Sequence, residues 1–165
     1  MDIDYRKVFS EFDALDAAAI DASSIIYMRK AGFLSDLAEE IRLFSPGSVI
    51  RETGYDDLPV RPVTGGRASE SSDRQLVACS LAFRIPVISE DKKILMAIRR
   101  ARLPYFNSLM MLNFLLFRGR ISAADHGVRF RRLLDFAWYG PAVLAFSRSI
   151  FTAVRAGRDP GLTPS

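Results

Sequence analysis

Residues 72–99, S-D-R-Q-L-V-A-C-S-L-A-F-R-I-P-V-I-S-E-D-K-K-I-L-M-A-I-R, constrain the fold more than any other stretch of the chain. Leu76, Val77, Ser80 and Leu81 recur at helical spacing behind Asp73, so a helix opens near that acid. Residues 85–88 are short, apolar and rich in β-branched side chains, entered from Arg84 and halted by Ser89, Glu90 and Asp91. Such a run is the pattern of a strand buried on both faces of a parallel sheet. Asp91 then opens a second amphipathic helix with Ile94, Leu95 and Ile98 on one side. Helix, strand, helix, with carboxylates where the strand ends, predicts an α/β fold with a site at that edge of the sheet.

The rest of the chain extends this pattern. Tyr5, Phe9 and Phe12 have the near-helical spacing of a short packing helix or arm. Residues 17–20 read as a first strand, Asp21 as the acid at its C-terminal end, and a serine of the Ala22-Ser23-Ser24 run as the N-cap of the next helix. Residues 33–44 keep a helical period, Ser45-Pro46-Gly47 makes a turn, and residues 48–50 form a second strand with Glu52 just past its end. The following stretch is mostly loop, with 60–63 an edge strand where prolines are tolerated. Within it Thr64-Gly65-Gly66-Arg67 could offer backbone amides to phosphate, although it lacks the Lys-Ser/Thr end of a P-loop. Residues 103–106 are a last strand, and Asn107-Ser108 caps a helix over 109–117. A helix from Ser122 to about Trp138, the Gly140-Pro141 break and a final helix to about Arg155 complete the order.

With 165 residues, 49% of them hydrophobic, a core can form without disulfides or structural metal, and one domain over 1–156 is expected, ahead of a disordered Gly/Pro-rich tail, 157–165. The single cysteine, Cys79, closes no internal disulfide and reads as small apolar packing in a reducing compartment. The N-terminus carries no secretory pattern, and the longest apolar stretch, 109–117, is far short of the roughly 20 residues that span a bilayer. A soluble cytoplasmic protein, away from membranes, is the expectation.

Net charge is +4, unevenly spread: from Arg99 onward there are eleven arginines and no lysine, against Asp125, Asp135 and Asp159. The planar guanidinium fork grips two phosphate oxygens at once, so a basic half suits a polyanion. Ordinary solvated helix faces give the same count. The only histidine, His126, reads as a surface helix residue, and Trp138 and Tyr139 read as packing between the last helices ahead of a base-stacking platform.

Asp21, Glu52 and Asp91 each follow a predicted strand, while Asp73 opens a helix that feeds one. In a parallel sheet these ends share one edge. Two carboxylates at about 4 Å repel by on the order of 4 kcal/mol at an effective dielectric near 20, so four together need protons, bases or a cation. Oxygen ligands without zinc-type Cys/His spacing suit Mg²⁺ or Mn²⁺. Taken singly, Asp73 and Asp91 are equally well explained as helix-start acids.

In this order, Asp21 in A-I-D-A-S-S-I-I, Glu52 after S-V-I-R, Asp73 in D-R-Q-L-V-A-C-S-L-A and Asp91 in V-I-S-E-D-K-K-I-L resemble the motifs of the PIN domain family over about residues 17–116. The resemblance implies an α/β/α sandwich on a central parallel sheet, here with a C-terminal helical extension over about 121–156. In active members it implies a metal-dependent RNA endonuclease. It gives Asp21, Glu52, Asp73 and Asp91 the roles of catalytic metal-site acids, with Ser23, Ser89 and Glu90 in support. Arg99, Arg100 and Arg102 would hold RNA. A neutralising antitoxin-like protein and a second copy of the chain are further partners it allows. The alternative is a PIN-like module that binds RNA or protein without cutting. The two differ in whether the four acids converge within a few ångströms or have a basic side chain at their centre.

Overall fold

Three alanines and an isoleucine form β1 (Ala17–Ile20), buried along its whole length. The structure, a computed structural model, describes residues 3–158. Beside β1 lie β2 (Arg42–Pro46), β3 (Arg61–Val63), β4 (Val87–Ile88) and β5 (Tyr105–Phe106), in the order β3-β2-β1-β4-β5, with every neighbouring pair parallel. Parallel neighbours need crossovers, and helices supply them. These are α2 (Ala22–Ala31) and α3 (Leu34–Glu40) between β1 and β2, α4 (Gly47–Thr53) before β3, α5 (Ser72–Phe83) before β4 and α6 (Lys92–Arg100) before β5. Helix α1 (Tyr5–Ala14) precedes the sheet, and α7 (Ser108–Phe117), α8 (Ala123–Leu134) and α9 (Pro141–Arg158) follow it.

Alternation along the strands divides the apolar side chains into two cores. Ala18, Ile20, Leu43, Ile88 and Phe106 pack with Phe12, Ile25, Leu37 and α7, whereas Ala19 and Val87 pack with Leu76, Cys79, Ile94 and Ile98 of α5 and α6. Helices therefore cover both faces, an α/β arrangement consistent with an α/β/α sandwich. No helix among the described residues is long and apolar enough to cross a membrane.

Two expectations shift in register. The second strand is Arg42–Pro46, not residues 48–50, which lie in α4. Leu37 and Ile41 continue a helical period into Leu43, but α3 stops at Glu40, and Leu43, buried, pairs with Ala18 of β1. Glu52 consequently stands on a helix rather than after a strand. The last helix reaches Arg158, past the expected start of the tail, and the remainder of that tail lies outside the described residues.

The C-terminal helices enclose a buried polar chain. Nine of the ten residues of α7 are buried, so α8 and α9 must cover a helix that is apolar nearly all round. Its one amide, Asn113, donates to the Ser147 carbonyl and hydroxyl of α9, both at 3.0 Å, and its Oδ1 lies 2.8 Å from His126 Nε2 of α8. His126 is thus not a surface residue: it is 5% exposed, its ring centroid lies 4.6 Å from that of Phe151, and burial pushes its pKa down to about 4. Part of the arginine surplus is also internal. Arg118 donates to the carbonyls of Phe12, Asp13 and Leu15 at the end of α1, Arg120 pairs with Asp36, Glu39 and Glu40, and Arg129 meets Asp36 at 2.7 Å.

Candidate functional site

The chain winds outward from β1 to β2 and β3, then returns to place β4 on the other side of β1. Open α/β sheets bind ligands at this reversal, beyond the C-terminal ends of the strands. Asp21 and residues 89–91 leave β1 and β4 at that point, side by side, with the Asp21 amide donating to the Ile88 carbonyl at 3.0 Å.

Asp21 itself caps α2, correcting the expectation of a serine there: its Oδ1 accepts from Ser24 N at 2.7 Å. Its Oδ2 accepts from the Ser89 hydroxyl and from Glu90 N at 3.2 Å, so a carboxylate 7% exposed is held from both sides of the reversal. Ser89 Oγ in turn accepts from Asp91 N at 3.0 Å, and Asp91 caps α6 through Lys93 N at 2.6 Å. Ser89, one of the serines expected to support the site, thus links Asp21 to Asp91. Ser23 is exposed on the first turn of α2, and its neighbour Ser24 makes the contacts. Ser23 is the serine expected in support, but the one that faces inward is Ser24.

Glu52 and Asp73 arrive from helices. The Ser72 hydroxyl donates to Glu52 Oε1, and Ser48 Oγ donates to Gln75 Oε1 at 2.8 Å, which ties α4 to the start of α5 beside Asp73. The Asp73 carboxyl is held above its ordinary range, first by partial withdrawal from water although the residue stays open to solvent, then by the charges of Asp91, Glu52 and Asp21, while Lys93 opposes the rise. One carboxyl thus feels the other three. The donor chemistry, all carboxylate oxygen, fits a hard divalent cation. The spacing is more open than a ligand shell: among the described residues no group of three or more His, Cys, Asp or Glu side chains is arranged to hold a metal ion.

Glu90 turns away from this set. It accepts from Ser108 N at 2.8 Å, from the Ser108 hydroxyl and from Ser24 Oγ at 3.3 Å, which fixes the start of α7 against α2. Burial raises its pKa, and the charge of Asp21 adds to the rise. The buried Tyr139 hydroxyl lies in the field of Glu90, so the joint between α8 and α9 reaches the underside of the site. Sequence patterning missed Ser24, Ser72, Ser108, Lys93 and Tyr139 as parts of this region.

The remaining candidates lie apart. Arg99 and Arg100 end α6 and Arg102 follows it, all exposed and without ion pairs among the described residues. Arg67 N donates to Glu70 Oε2 at 2.9 Å, so one amide of the 64–67 loop is already taken by a carboxylate. Cys79 is buried in the second core, and burial pushes its thiol up to about 11, in keeping with packing. A surface depression of about 460 Å³ beside Arg29, Gly32 and Leu58 lies at the other end of α2 from Asp21. In comparisons with protein families, curated proteins and solved structures, nothing matches the chain.

Proposed function

We propose that the crevice at the β1/β4 reversal is the active site of a PIN-like, metal-dependent RNA endonuclease. The observation that carries this reading is placement: the Asp21–Ser89–Asp91 chain of hydrogen bonds at the ends of β1 and β4, and the Ser72–Glu52 bond that brings α4 to the start of α5, put four acids at one end of the sheet, where the charges of Asp91, Glu52 and Asp21 all raise the Asp73 carboxyl. Asp21, Asp73 and Asp91 could each be a helix-start acid. Glu52 could not, because it stands in the last turn of α4, where the helix dipole disfavours negative charge.

Asp21, Glu52, Asp73 and Asp91 would hold Mg²⁺ or Mn²⁺, which when bound lowers the pKa of water for in-line attack on a phosphodiester and steadies the leaving oxygen. Asp21 is the fixed member, because the Ser24 amide and the Ser89 hydroxyl leave its carboxylate one orientation. Asp73 has no hydrogen bond to its carboxylate among the described residues, and Asp91 commits only Oδ1 to its cap, so both keep oxygens for a ligand. Lys93, near enough to oppose the rise in Asp73, supplies a cation at the mouth, where a phosphate enters a crevice that otherwise repels it.

The test is cleavage of a mixed RNA pool with Mn²⁺ and with EDTA, beside Asp21→Asn. Divalent-dependent cleavage lost in the variant is expected. RNA that binds without being cut would leave a PIN-like binding module, the outcome with which the open spacing of the acids also agrees.

A further inference from the structure

Trp138 lies on the surface rather than between helices: it is 86% exposed, the most open of the large hydrophobic side chains described. Its position is set from both sides. Phe136, two residues before it, has its ring centroid 5.6 Å from that of Tyr27, one turn beyond Ser23 on the helix that Asp21 caps. Tyr139, directly after it, is turned in toward Glu90 and Ser108. One corner of the indole lies near Gly140, where an added Cβ would sit 4.0 Å from Cη2, while most of its surface stays open. On the side away from the acids, the Lys30 ammonium stands 5.6 Å over the Phe136 ring, and Arg131 and Arg132 are exposed in the last turn of α8 without ion pairs among the described residues.

We propose that Trp138 is a stacking platform for an unpaired base of single-stranded RNA, whose backbone passes from Lys30, Arg131 and Arg132 toward the acidic crevice. The inference rests on the nuclease reading and names the form of its substrate. An open indole offers a π-face to any base, and cations beside it track the phosphates, the combination that binds single strands without sequence preference. Duplex RNA already stacks its bases on one another and offers the indole none. A protein hot spot would instead be an aromatic enclosed by apolar neighbours that exclude water; here the exposed charges, Arg131, Arg132 and Asp135 in the chain before it and Lys30 over Phe136, leave a net positive flank.

Trp138 is the only tryptophan in the chain, so intrinsic fluorescence reports this position alone. The experiment titrates end-labelled oligoadenylate into Asp21→Asn protein without metal, following anisotropy and tryptophan emission together. An abasic oligomer of equal length and a duplex serve as comparators. Quenching that saturates with the anisotropy change, absent with the abasic oligomer and the duplex, is expected. Trp138→Ala should bind about tenfold more weakly, within the range for one stacked base, and Trp138→Phe should recover most of the loss. Being exposed, the residue can be exchanged without loss of fold, which circular dichroism checks. Binding with unchanged emission, equal quenching by the abasic oligomer, or full affinity in Trp138→Ala overturns the inference. An emission shift on concentrating the protein without RNA also overturns it, in favour of a protein contact. Cleavage of the same oligomer by the unsubstituted protein in Mn²⁺ is scored separately. Cleavage without quenching removes the platform alone, quenching without cleavage removes the nuclease reading alone, and the absence of both quenching and cleavage removes both readings.

Discussion

Acid should loosen the C-terminal helices through His126. In the fold its imidazole is neutral, with Nε2–H donating to Asn113 Oδ1, because Asn113 uses its own amino group on Ser147. The folded pKa is about 4 against 6.5 for the free side chain, so the unfolded chain takes up the extra proton in between. Stability is therefore fully present above pH 6.5 and is lost as the pH falls toward 4. The difference of about 2.5 pKa units is worth about 3 kcal/mol when fully developed, with about 2 kcal/mol already lost at pH 5. Glutamine at this position can keep a donor toward Asn113 without titrating. Urea unfolding of wild type and His126→Gln from pH 7 to pH 4 isolates the effect, since other carboxylates titrate alike in both. The wild type should lose about 2 kcal/mol more than the variant by pH 5, a midpoint shift near 1 M at an m-value of about 2 kcal/mol/M. Parallel pH profiles for the two proteins would refute the placement of a neutral, desolvated imidazole between α7, α8 and α9.

Three further outcomes are expected. Asp73→Asn should raise the melting temperature slightly at neutral pH, by no more than about 0.5 kcal/mol at an exposed position, because the raised carboxyl costs stability once the pH exceeds its folded pKa; a lower melting temperature contradicts the coupling. Gly65→Ala should destabilise by about 1–3 kcal/mol in thermal unfolding, since its Cβ would stand 2.5 Å from the Gln75 carbonyl and 3.0 Å from Cys79 Cβ; wild-type stability would mean that the loop does not press on α5. If Arg99 and Arg100 touch the RNA backbone, replacing both by alanine should flatten the salt dependence of binding by about 0.7 log unit per contact; an unchanged slope assigns them to solvent.

Local patterning was enough for most of the framework. Residues 17–20 and 85–88 read as short, apolar central strands, the second shortened to Val87–Ile88 in the fold, and Asp91 and Asn107 sit at helix starts, where both side chains act as caps. The shared edge of Asp21 and Asp91 was legible because a parallel sheet carries strand exits together whatever the loop lengths, whereas Glu52, expected after a strand, stands on α4. Three things were decided only by tertiary structure. Whether Arg42–Pro46 continues a helix or becomes β2 depends on the edge of β1 being open to pair with it, which no local period encodes. Whether His126 faces water or Asn113 depends on α7, a helix apolar nearly all round that draws both α8 and α9 over itself and takes the imidazole with them. Trp138 and Tyr139 share one composition signal yet have opposite fates, because α8 ends at Leu134 and the turn into α9 rotates one ring toward Glu90 and the next out to solvent. Sequence fixes which groups are present and near which element ends; the packing of distant elements decides which of them meet.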